Sequence, residues 1–156
     1  MPELTEGEPE AIAVENARRK AGAIAAAPDA LVLGVDTVVT CAGRLYDKPA
    51  GDAEARATLQ ALAGRTHTVI SGLCLRGPGA EQRTAAVHTA VRFRELSPGF
   101  VDWYLSTGEW RGRAGGYAIQ GRGAVLVTRI EGDYLNVVGL PLAMLVTLEP
   151  NVLPVG

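Results

Sequence analysis

The sequence predicts one domain of the mixed α/β (α+β) class, and three observations carry that prediction. The 156 residues are 47% hydrophobic and 21% charged, which suits a chain that buries one sizeable core. Runs of β-forming apolar residues alternate with segments of helical spacing, and several of these runs follow one another directly. The chain shows no internal repeat, linker or charge block. We therefore expect residues 1–156 to form a single domain with several antiparallel strands.

The first half of the chain predicts two helices around one strand. A helix begins at Pro9 and ends before Pro28, with apolar residues at helical spacing between them. The apolar stretch LVLGVDTVVT, residues 31–40, predicts a strand, and AGRLYDKPAGD is typical of a turn and loop. Asp52 is predicted to cap a second helix that closes at Gly64.

The second half predicts a strand pair and then shorter elements. RTHTVISGLCLR and AVHTAVRFREL are two β-like stretches around the turn GPGAEQ, which indicates a hairpin or meander pair. Ser97 and Pro98 open a helix that ends near Gly108. A glycine-rich loop then leads into the strand VLVTRI, and EGDYLNVVG is a turn with a short segment. Pro141 begins the last helix.

Composition and charge exclude several classes of partner. The net charge is −2 and the sequence pI is about 5.7, so no basic excess points to a nucleic-acid polymer or to an anionic membrane. The acidic N-terminus is unlike a signal peptide, and the apolar stretch VVGLPLAMLVTL is broken by Gly139 and Pro141 and is too short to span a bilayer. We expect a soluble, cytoplasmic protein.

Cysteine and histidine positions indicate no metal centre. Cys41 and Cys74 form no CxxC pair and lie in strand-like runs, where cysteine is usually a small buried hydrophobe. Their use favours a reducing cytoplasm over a disulfide framework. His67 and His88 have no ligand spacing to these cysteines, and we expect both to be strand-surface residues.

Asp36 lies inside a run of apolar, strand-forming residues, where an unpaired carboxylate is costly because its charged form loses its water. Two interpretations stay open at this point. Asp36 either caps an exposed strand end, or projects into a cleft at the carboxyl end of the strand. In the second case it would bind Mg²⁺ or orient a water.

Two lysines are candidates for holding an anionic group. Pro49 biases Lys48 to an extended backbone that would aim its ammonium at a phosphate, and a solvated loop lysine is the alternative. Lys20 lies on the predicted first helix beside two arginines and carries the same two interpretations.

The segment GYAIQGRGA, residues 116–124, is the least ordinary stretch of the sequence. Its glycines allow close backbone approach to a ligand, yet it is neither a phosphate-binding loop of the Walker type nor a dinucleotide fingerprint. Gln120 carries both a donor and an acceptor, which suits the reading of a base edge. A glycine-rich turn between helix and strand is the structural alternative. Asn136, in NVVGLP, is predicted to satisfy backbone groups of a tight turn.

Eight segments occur in a fixed order from about Glu15 to Leu148: ENARRKA, GVDTVV, KP, LAGRTHTVISGL, VRFREL, STGE, AGGYAIQGRGA and DYLNVVGLP. In this order they resemble the Maf family of nucleoside triphosphate pyrophosphatases. The resemblance implies a two-lobed fold related to the inosine triphosphatase type, with a central mixed sheet and a cleft. It also implies hydrolysis of a nucleotide to monophosphate and pyrophosphate with a divalent metal, Mg²⁺ or Mn²⁺. We further expect a homodimer.

The resemblance also implies roles for individual residues. Asp36 matches the family's catalytic proton acceptor and would also bind the metal. Lys20 and Lys48 match lysines that line the phosphate site. Thr37 and Gln120 match positions tied to base selection, and the glutamine in AIQG resembles the branch that acts on dTTP and UTP. The branch for 7-methylguanosine triphosphate typically carries glutamate there.

The sequence departs from the family pattern at its beginning. The family's opening strand and Ser-x-Ser-Pro-Arg-Arg loop, which holds the triphosphate, have no counterpart here, and Glu3 or Glu6 are the candidates for the acidic residue beyond that loop. Asp47 stands where many relatives have glycine, and Arg113 where lysine is common. Because phosphoryl chemistry depends on positioned charge, we expect a lower affinity and rate without the loop. We also expect an exposed sheet edge or apolar surface that a partner chain would cover.

Two functional hypotheses remain. The first is a metal-dependent pyrophosphatase acting on dTTP and UTP, whose start is misassigned or trimmed. The alternative is a catalytically impaired relative that works as a binding or division-linked interaction protein. Upstream coding sequence in frame with a Ser-x-Ser-Pro-Arg-Arg loop would favour the first.

Overall fold

The computed structural model describes residues 2–154. Helices and strands follow one another as α1 (Pro9–Gly22), β1 (Val32–Cys41), β2 (Arg44–Tyr46), α2 (Asp52–Leu62), β3 (Thr66–Arg76), β4 (Gln82–Phe93), α3 (Pro98–Ser106), β5 (Val127–Glu131), α4 (Tyr134–Val138) and α5 (Leu142–Leu148). Short 3₁₀ segments lie at Pro78–Ala80, Ala114–Gly116, Arg122–Leu126 and Pro150–Val152. No helix within residues 2–154 has the length and apolar character needed to span a bilayer.

The five strands form one sheet in the order β2-β1-β3-β4-β5. The mixed α/β class is confirmed, and so is the predicted pairing of β3 with β4. Every strand pair in the described part of the chain is antiparallel, whereas the family resemblance implied a mixed sheet. The pairs β1–β2 and β3–β4 are consecutive strands joined by short connections, which produce antiparallel neighbours without a crossover.

Helix α1 lies almost directly on the backbone of one sheet face. A Cβ atom on Gly34 would fall 2.1 Å from the carbonyl oxygen of Ala17, and one on Gly72 would fall 2.3 Å from the carbonyl carbon of Ala13. Glycine at these two strand positions is therefore required for the close approach of the helix. The approach brings the polar residues of α1 within reach of β1.

The opposite face of the sheet carries the main core, and α2, α3 and α5 cover that face. Helices α2 and α3 cover one part of it, with a core that includes Leu59, Leu62, Val69, Val91, Phe93 and Tyr104. Helix α5 covers another part, where Leu145 packs with Leu73 and Leu75. Large apolar side chains on alternate residues of β3 and β4 supply the sheet side of both clusters, as expected for period-2 alternation.

Strand β2 pairs with only the end of β1. Its residues Arg44–Tyr46 face Val39–Cys41, so the earlier part of β1 has no strand on that side within residues 2–154. An open backbone edge therefore runs along β1 up to Val38. Asp36 and Thr37 lie on this stretch.

Element boundaries differ from the sequence prediction in several places, of which four are the clearest. Helix α1 ends at Gly22 and not before Pro28, because glycine is a poor helix former and the alanine-rich stretch after it is exposed. Gly51, one residue before Asp52, is the N-cap of α2. The short strand β2 was expected to be loop. The first two residues of VLVTRI belong to a 3₁₀ turn, so β5 begins at Val127.

The predictions for histidine and cysteine have mixed outcomes. Cys41 and Cys74 are buried and free, as expected. His88 is exposed and lies beside Glu10, with 2.6 Å between its Nε2 and a carboxylate oxygen. The prediction of a surface position for His67 is wrong, since its residue surface is only 1% exposed. The face of β3 that carries His67 is covered by the main core, where the imidazole packs against the ring of Phe93.

Candidate active site

Five predicted site residues line one cavity of about 260 Å³: Lys20, Asp36, Thr37, Lys48 and Gln120. The rest of the wall comes from apolar residues of β1 and β3, from the glycine-rich loop around Arg113 and from the end of α4. The cavity thus has carboxylate, ammonium and amide groups on a partly apolar surface. Such a combination is typical of a ligand site.

Asp36 lies in the middle of β1 and is only 5% exposed. Its Oδ1 lies 2.6 Å from the Nζ of Lys20, and its Oδ2 accepts a hydrogen bond of 3.2 Å from the Nδ2 of Asn16. These partners offset the cost of burying the carboxylate. The interpretation as a strand-end cap is wrong, and so is the placement at the carboxyl end of the strand. Asp36 reaches the cavity at the open edge of β1 instead.

Helix α1 supplies both partners of Asp36. Asn16 and Lys20 are four residues apart, so they lie on the same face of the helix. The close contact of α1 with Gly34 and Gly72 sets that face against β1. Asn16 is not among the predicted site residues, although its spacing to Lys20 within ENARRKA is a usable signal.

Asn16 also ties the N-terminal segment to the site. Its Oδ1 accepts a 2.7 Å hydrogen bond from the backbone N–H of Leu4, and its Nδ2 donates to the carbonyl oxygen of the same residue at 3.1 Å. Asn16 is 2% exposed, so this pairing is protected from water. The neighbouring Glu3 is thereby held at the cavity rim.

Glu3 is the acidic candidate that meets the lysines. Its Oε1 lies 2.8 Å from the Nζ of Lys20 and 3.7 Å from the Nζ of Lys48. Neither glutamate belongs to the cavity wall itself; Glu6, the other candidate, is exposed and forms no ion pair with another residue within 2–154. The contact between Glu3 and Lys20 joins a second carboxylate to the ammonium that already holds Asp36.

The charges at this end of the cavity reinforce one another. The hydrogen bond from Lys20 is the main cause that holds the pKa of Glu3 below its ordinary value. Burial by itself would lower the pKa of Lys20, but its hydrogen bonds to Asp36 and Glu3 outweigh burial and raise that pKa. Lys20 is therefore a cation and Glu3 an anion near neutral pH.

The other end of the cavity is less charged. Gln120 is exposed on the glycine-rich loop, and Thr37 places its Oγ1 2.9 Å from the Oγ of Ser71 on the adjacent strand. Arg113 adds a guanidinium to the wall. Arg113 is not among the predicted site residues and was expected only as a departure from the family pattern, although its position directly before AGGYAIQG is a signal for a site residue.

Asn136 satisfies backbone groups, as predicted, but they belong to two strands and not to a tight turn, because the residue lies inside α4. Its Nδ2 donates to the backbone carbonyl oxygens of Val69 and Val87 and to the hydroxyl of Thr89. These contacts fix α4 to β3 and β4. The next residues of α4, Val137 and Val138, form part of the cavity wall.

The carboxylate in the cavity and the one beside it fit a hard divalent cation. Asp36 and Glu3 contact the same ammonium, so their carboxylates lie close together. No group of three or more His, Cys, Asp and Glu residues in the described chain could hold a metal by itself. Mg²⁺ commonly uses one or two carboxylates and completes its shell with substrate phosphates and water. The residues present match that pattern.

Fold and cavity together define an α+β protein with a charged ligand cleft at an open sheet edge. Residues 2–149 match the family described as Maf-like protein. The chain belongs to this family.

Similar curated proteins agree with that assignment. The chain is 44% identical over 146 residues to a dTTP/UTP pyrophosphatase of Pyrococcus furiosus, an alignment that covers 93% of this chain and 76% of the relative. It is 49% identical over 134 residues to a dTTP/UTP pyrophosphatase of Moorella thermoacetica, covering 85% of this chain and 68% of the relative. A nucleoside triphosphate pyrophosphatase of Anaplasma marginale is 42% identical over 141 residues, covering 89% and 72%.

Proposed function

We propose that this protein is a pyrophosphatase that hydrolyses dTTP and UTP to the nucleoside monophosphate and pyrophosphate. The observation that carries the proposal is the convergence of Asp36, Lys20, Lys48 and Gln120 on one cavity. The names of relatives that are 44% and 49% identical to this chain support the same activity and substrates.

In this proposal the two ends of the cavity hold different parts of the nucleotide. Lys20 and Lys48 face the phosphates, where their ammonium groups offset negative charge. Gln120 and Thr37 contact the base, because an amide and a hydroxyl each offer a donor and an acceptor. The apolar wall from β1 and β3 packs against the base and sugar.

Asp36 acts as the general base. Its carboxylate takes a proton from a water molecule, and the water oxygen forms a bond to the α-phosphorus. The bond from that phosphorus to the bridging oxygen breaks, and pyrophosphate leaves with the electron pair. Among the described residues each oxygen of Asp36 has one partner, which leaves lone pairs to accept this proton.

A divalent cation, Mg²⁺ or Mn²⁺, would be held by Asp36 and Glu3 together with the phosphates. When bound, it would supply charge neutralisation and polarisation at the phosphates. Lys20, which contacts both carboxylates, would keep them close together in the absence of the cation.

Pyrophosphate release from dTTP, UTP, CTP and 7-methylguanosine triphosphate, each with Mg²⁺ or Mn²⁺, tests the proposal. We expect release from dTTP and UTP above the other two nucleotides. In ¹⁸O-labelled water the label should enter the monophosphate, because the attack is at the α-phosphorus. A folded protein that binds these nucleotides and releases nothing would contradict the proposal and support the catalytically impaired relative.

We also propose that the protein works as a homodimer in the cytoplasm. The buried, free thiols of Cys41 and Cys74 support a reducing compartment. Exposed apolar side chains, among them Trp103 at 43% exposure, support a surface that a second copy covers. Light scattering of the purified protein tests the dimer: we expect twice the chain mass, and a monomer at working concentration would contradict it.

A further inference from the structure

The segment that carries Gln120 is held at its far end by one carboxylate. Glu109 lies between α3 and the glycine-rich loop, and its Oε2 accepts a 3.0 Å hydrogen bond from the backbone N–H of Arg122. Its Oε1 accepts a 3.1 Å hydrogen bond from the backbone N–H of Gly123. The carboxylate thus binds two consecutive N–H groups immediately after Gln120 and Gly121.

The near end of the same segment is held by Tyr104. The tyrosine hydroxyl accepts a 2.9 Å hydrogen bond from the backbone N–H of Ala118 and donates to Glu109 at 3.2 Å. Its ring is fully buried on α3. Tyr104 and Glu109 therefore form one clamp that grips the chain on both sides of Gln120.

The clamped segment closes tightly on itself. A Cβ atom on Gly123 would lie 2.1 Å from the carbonyl oxygen of Ala118 and 2.9 Å from the hydroxyl oxygen of Tyr104. Only glycine permits this approach. The backbone on both sides of Gln120 is therefore fixed relative to α3.

Glu109 is suited to hold this geometry near neutral pH. Burial by itself would raise the pKa of Glu109, but hydrogen bonds from the backbone of Arg122 and Gly123 outweigh burial and lower that pKa. Hydrogen bonds to an ionised acceptor are stronger than those to a neutral one. Neither Glu109 nor Tyr104 lines the cavity, so both can act on a ligand only through the loop.

We propose that Glu109 and Tyr104 are positioning residues that set nucleobase selectivity by fixing Gln120 at the cavity wall. The inference rests on the proposed function, because it requires Gln120 to contact the base. Uracil and cytosine present different donors and acceptors at the edge that distinguishes them. A glutamine held at one place can therefore favour one of them over the other.

Glu109→Gln tests the clamp with almost no change in shape. The new amide keeps one oxygen but sets an NH₂ group against a backbone N–H, so one hydrogen bond is lost and the other is no longer charge-assisted. We expect the ratio of kcat/KM for UTP to that for CTP to fall about tenfold, the usual worth of such a bond. The change should appear mainly in KM, with kcat for UTP within about twofold of the unmodified chain.

Three further variants separate positioning from general damage. Tyr104→Phe removes the hydroxyl and keeps the ring. We expect the same fall in the ratio of kcat/KM for UTP to kcat/KM for CTP. The double variant Glu109→Gln/Gln120→Ala should have the same ratio of kcat/KM values as Gln120→Ala alone, because both changes act through one group. Asp102→Asn, an exposed position paired with Arg56, is the matched control and should leave the ratio unchanged.

An unchanged UTP to CTP ratio in Glu109→Gln, or full additivity with Gln120→Ala, would overturn the inference while leaving the pyrophosphatase proposal intact. If the unmodified chain releases no pyrophosphate, the proposed function fails and calorimetry with α,β-imido UTP and CTP becomes the readout. A smaller preference for the UTP analogue over the CTP analogue in Glu109→Gln, measured as the ratio of their Kd values, would then support the clamp. Equal ratios for the unmodified chain and Glu109→Gln would overturn it.

Discussion

The two ends of the cavity are built in different ways. At the charged end, side chains from three segments meet directly: Glu3 before α1, Lys20 on α1 and Asp36 on β1. At the loop end, Gln120 is placed by backbone N–H groups that Glu109 and Tyr104 hold from outside the cavity. The charged end therefore depends on groups that touch one another, and the loop end depends on residues one step removed from the ligand.

This difference separates rate from choice of substrate. Every nucleoside triphosphate carries the same phosphates, so a change at the charged end should affect all of them alike. Bases differ, so a change at the loop end should alter the preference among nucleotides.

Asp36→Asn should have the largest effect. The amide cannot take a proton from water, and we expect kcat for dTTP to fall about 10³-fold, within the usual range for loss of a general base. Pyrophosphate release at saturating dTTP measures the change. Asp29→Asn, an exposed position before the same strand, is the matched control. Similar activity of Asp36→Asn and the control, with both folded, would contradict the assignment of Asp36.

Lys20→Met should reduce kcat/KM about 100-fold, because it removes charged hydrogen bonds worth about 1.5–3 kcal/mol. The loss should be similar for UTP and CTP, because both carry the same triphosphate. Arg18→Met on the same helix is the control, since the Arg18 side chain is 52% exposed and pairs with Glu15. A loss confined to one nucleotide would break the division between the two ends.

Glu3→Gln should weaken binding of the divalent cation and leave base preference alone. We expect the half-saturating Mn²⁺ concentration to rise about tenfold when one of two carboxylate ligands is neutralised. Electron paramagnetic resonance of free Mn²⁺, in the presence of α,β-imido UTP, measures it. Glu6→Gln is the matched control. Equal effects of the two substitutions would refute the choice of Glu3.

Replacing His67 should have the smallest effect, which is a change in how the free energy of unfolding depends on pH. Its Nε2 lies 2.7 Å from the hydroxyl oxygen of Tyr117 at the start of the glycine-rich loop, and burial lowers its pKa from 6.5 to about 4. The folded state therefore favours neutral His67. This contribution to stability is complete above pH 6.5 and is lost as pH falls toward about 4.

Urea unfolding at pH 8 and pH 5.5 measures this contribution. We expect His67 to account for about 1 kcal/mol of the difference in unfolding free energy between the two conditions. His67→Gln should lose that part of the pH dependence, whereas His88→Gln, at an exposed position, should keep it. The same pH dependence in His67→Gln and the unmodified chain would contradict this account.

The sequence predicted the residues that line the cavity better than it predicted how they are held. One cavity is lined by all five predicted residues: Asp36, Lys20, Lys48, Thr37 and Gln120. They could be predicted because they lie in segments whose order is typical of a single family. Their chemical roles stay predictions. Helix α1, the pair β3–β4 and the cap at Ser97 were predicted from local periodicity and capping, which depend on neighbouring residues only.

Contacts between distant segments were outside the reach of local patterns. The hydrogen bond between Asn16 and Asp36 joins residues twenty positions apart, and it requires the tight packing of α1 on Gly34. The three-residue strand β2 exists through its pairing with β1. His67 was misplaced because alternation along a strand does not reveal which face other elements cover.

The most direct test of the two-ended cavity compares Asp36→Asn and Gln120→Ala on UTP and CTP side by side. The account predicts that Asp36→Asn lowers kcat for both nucleotides and keeps the ratio of their kcat/KM values. It predicts that Gln120→Ala lowers that ratio about tenfold and changes kcat for UTP by about twofold or less. A changed ratio in Asp36→Asn, or an equal loss for both nucleotides in Gln120→Ala, would contradict it.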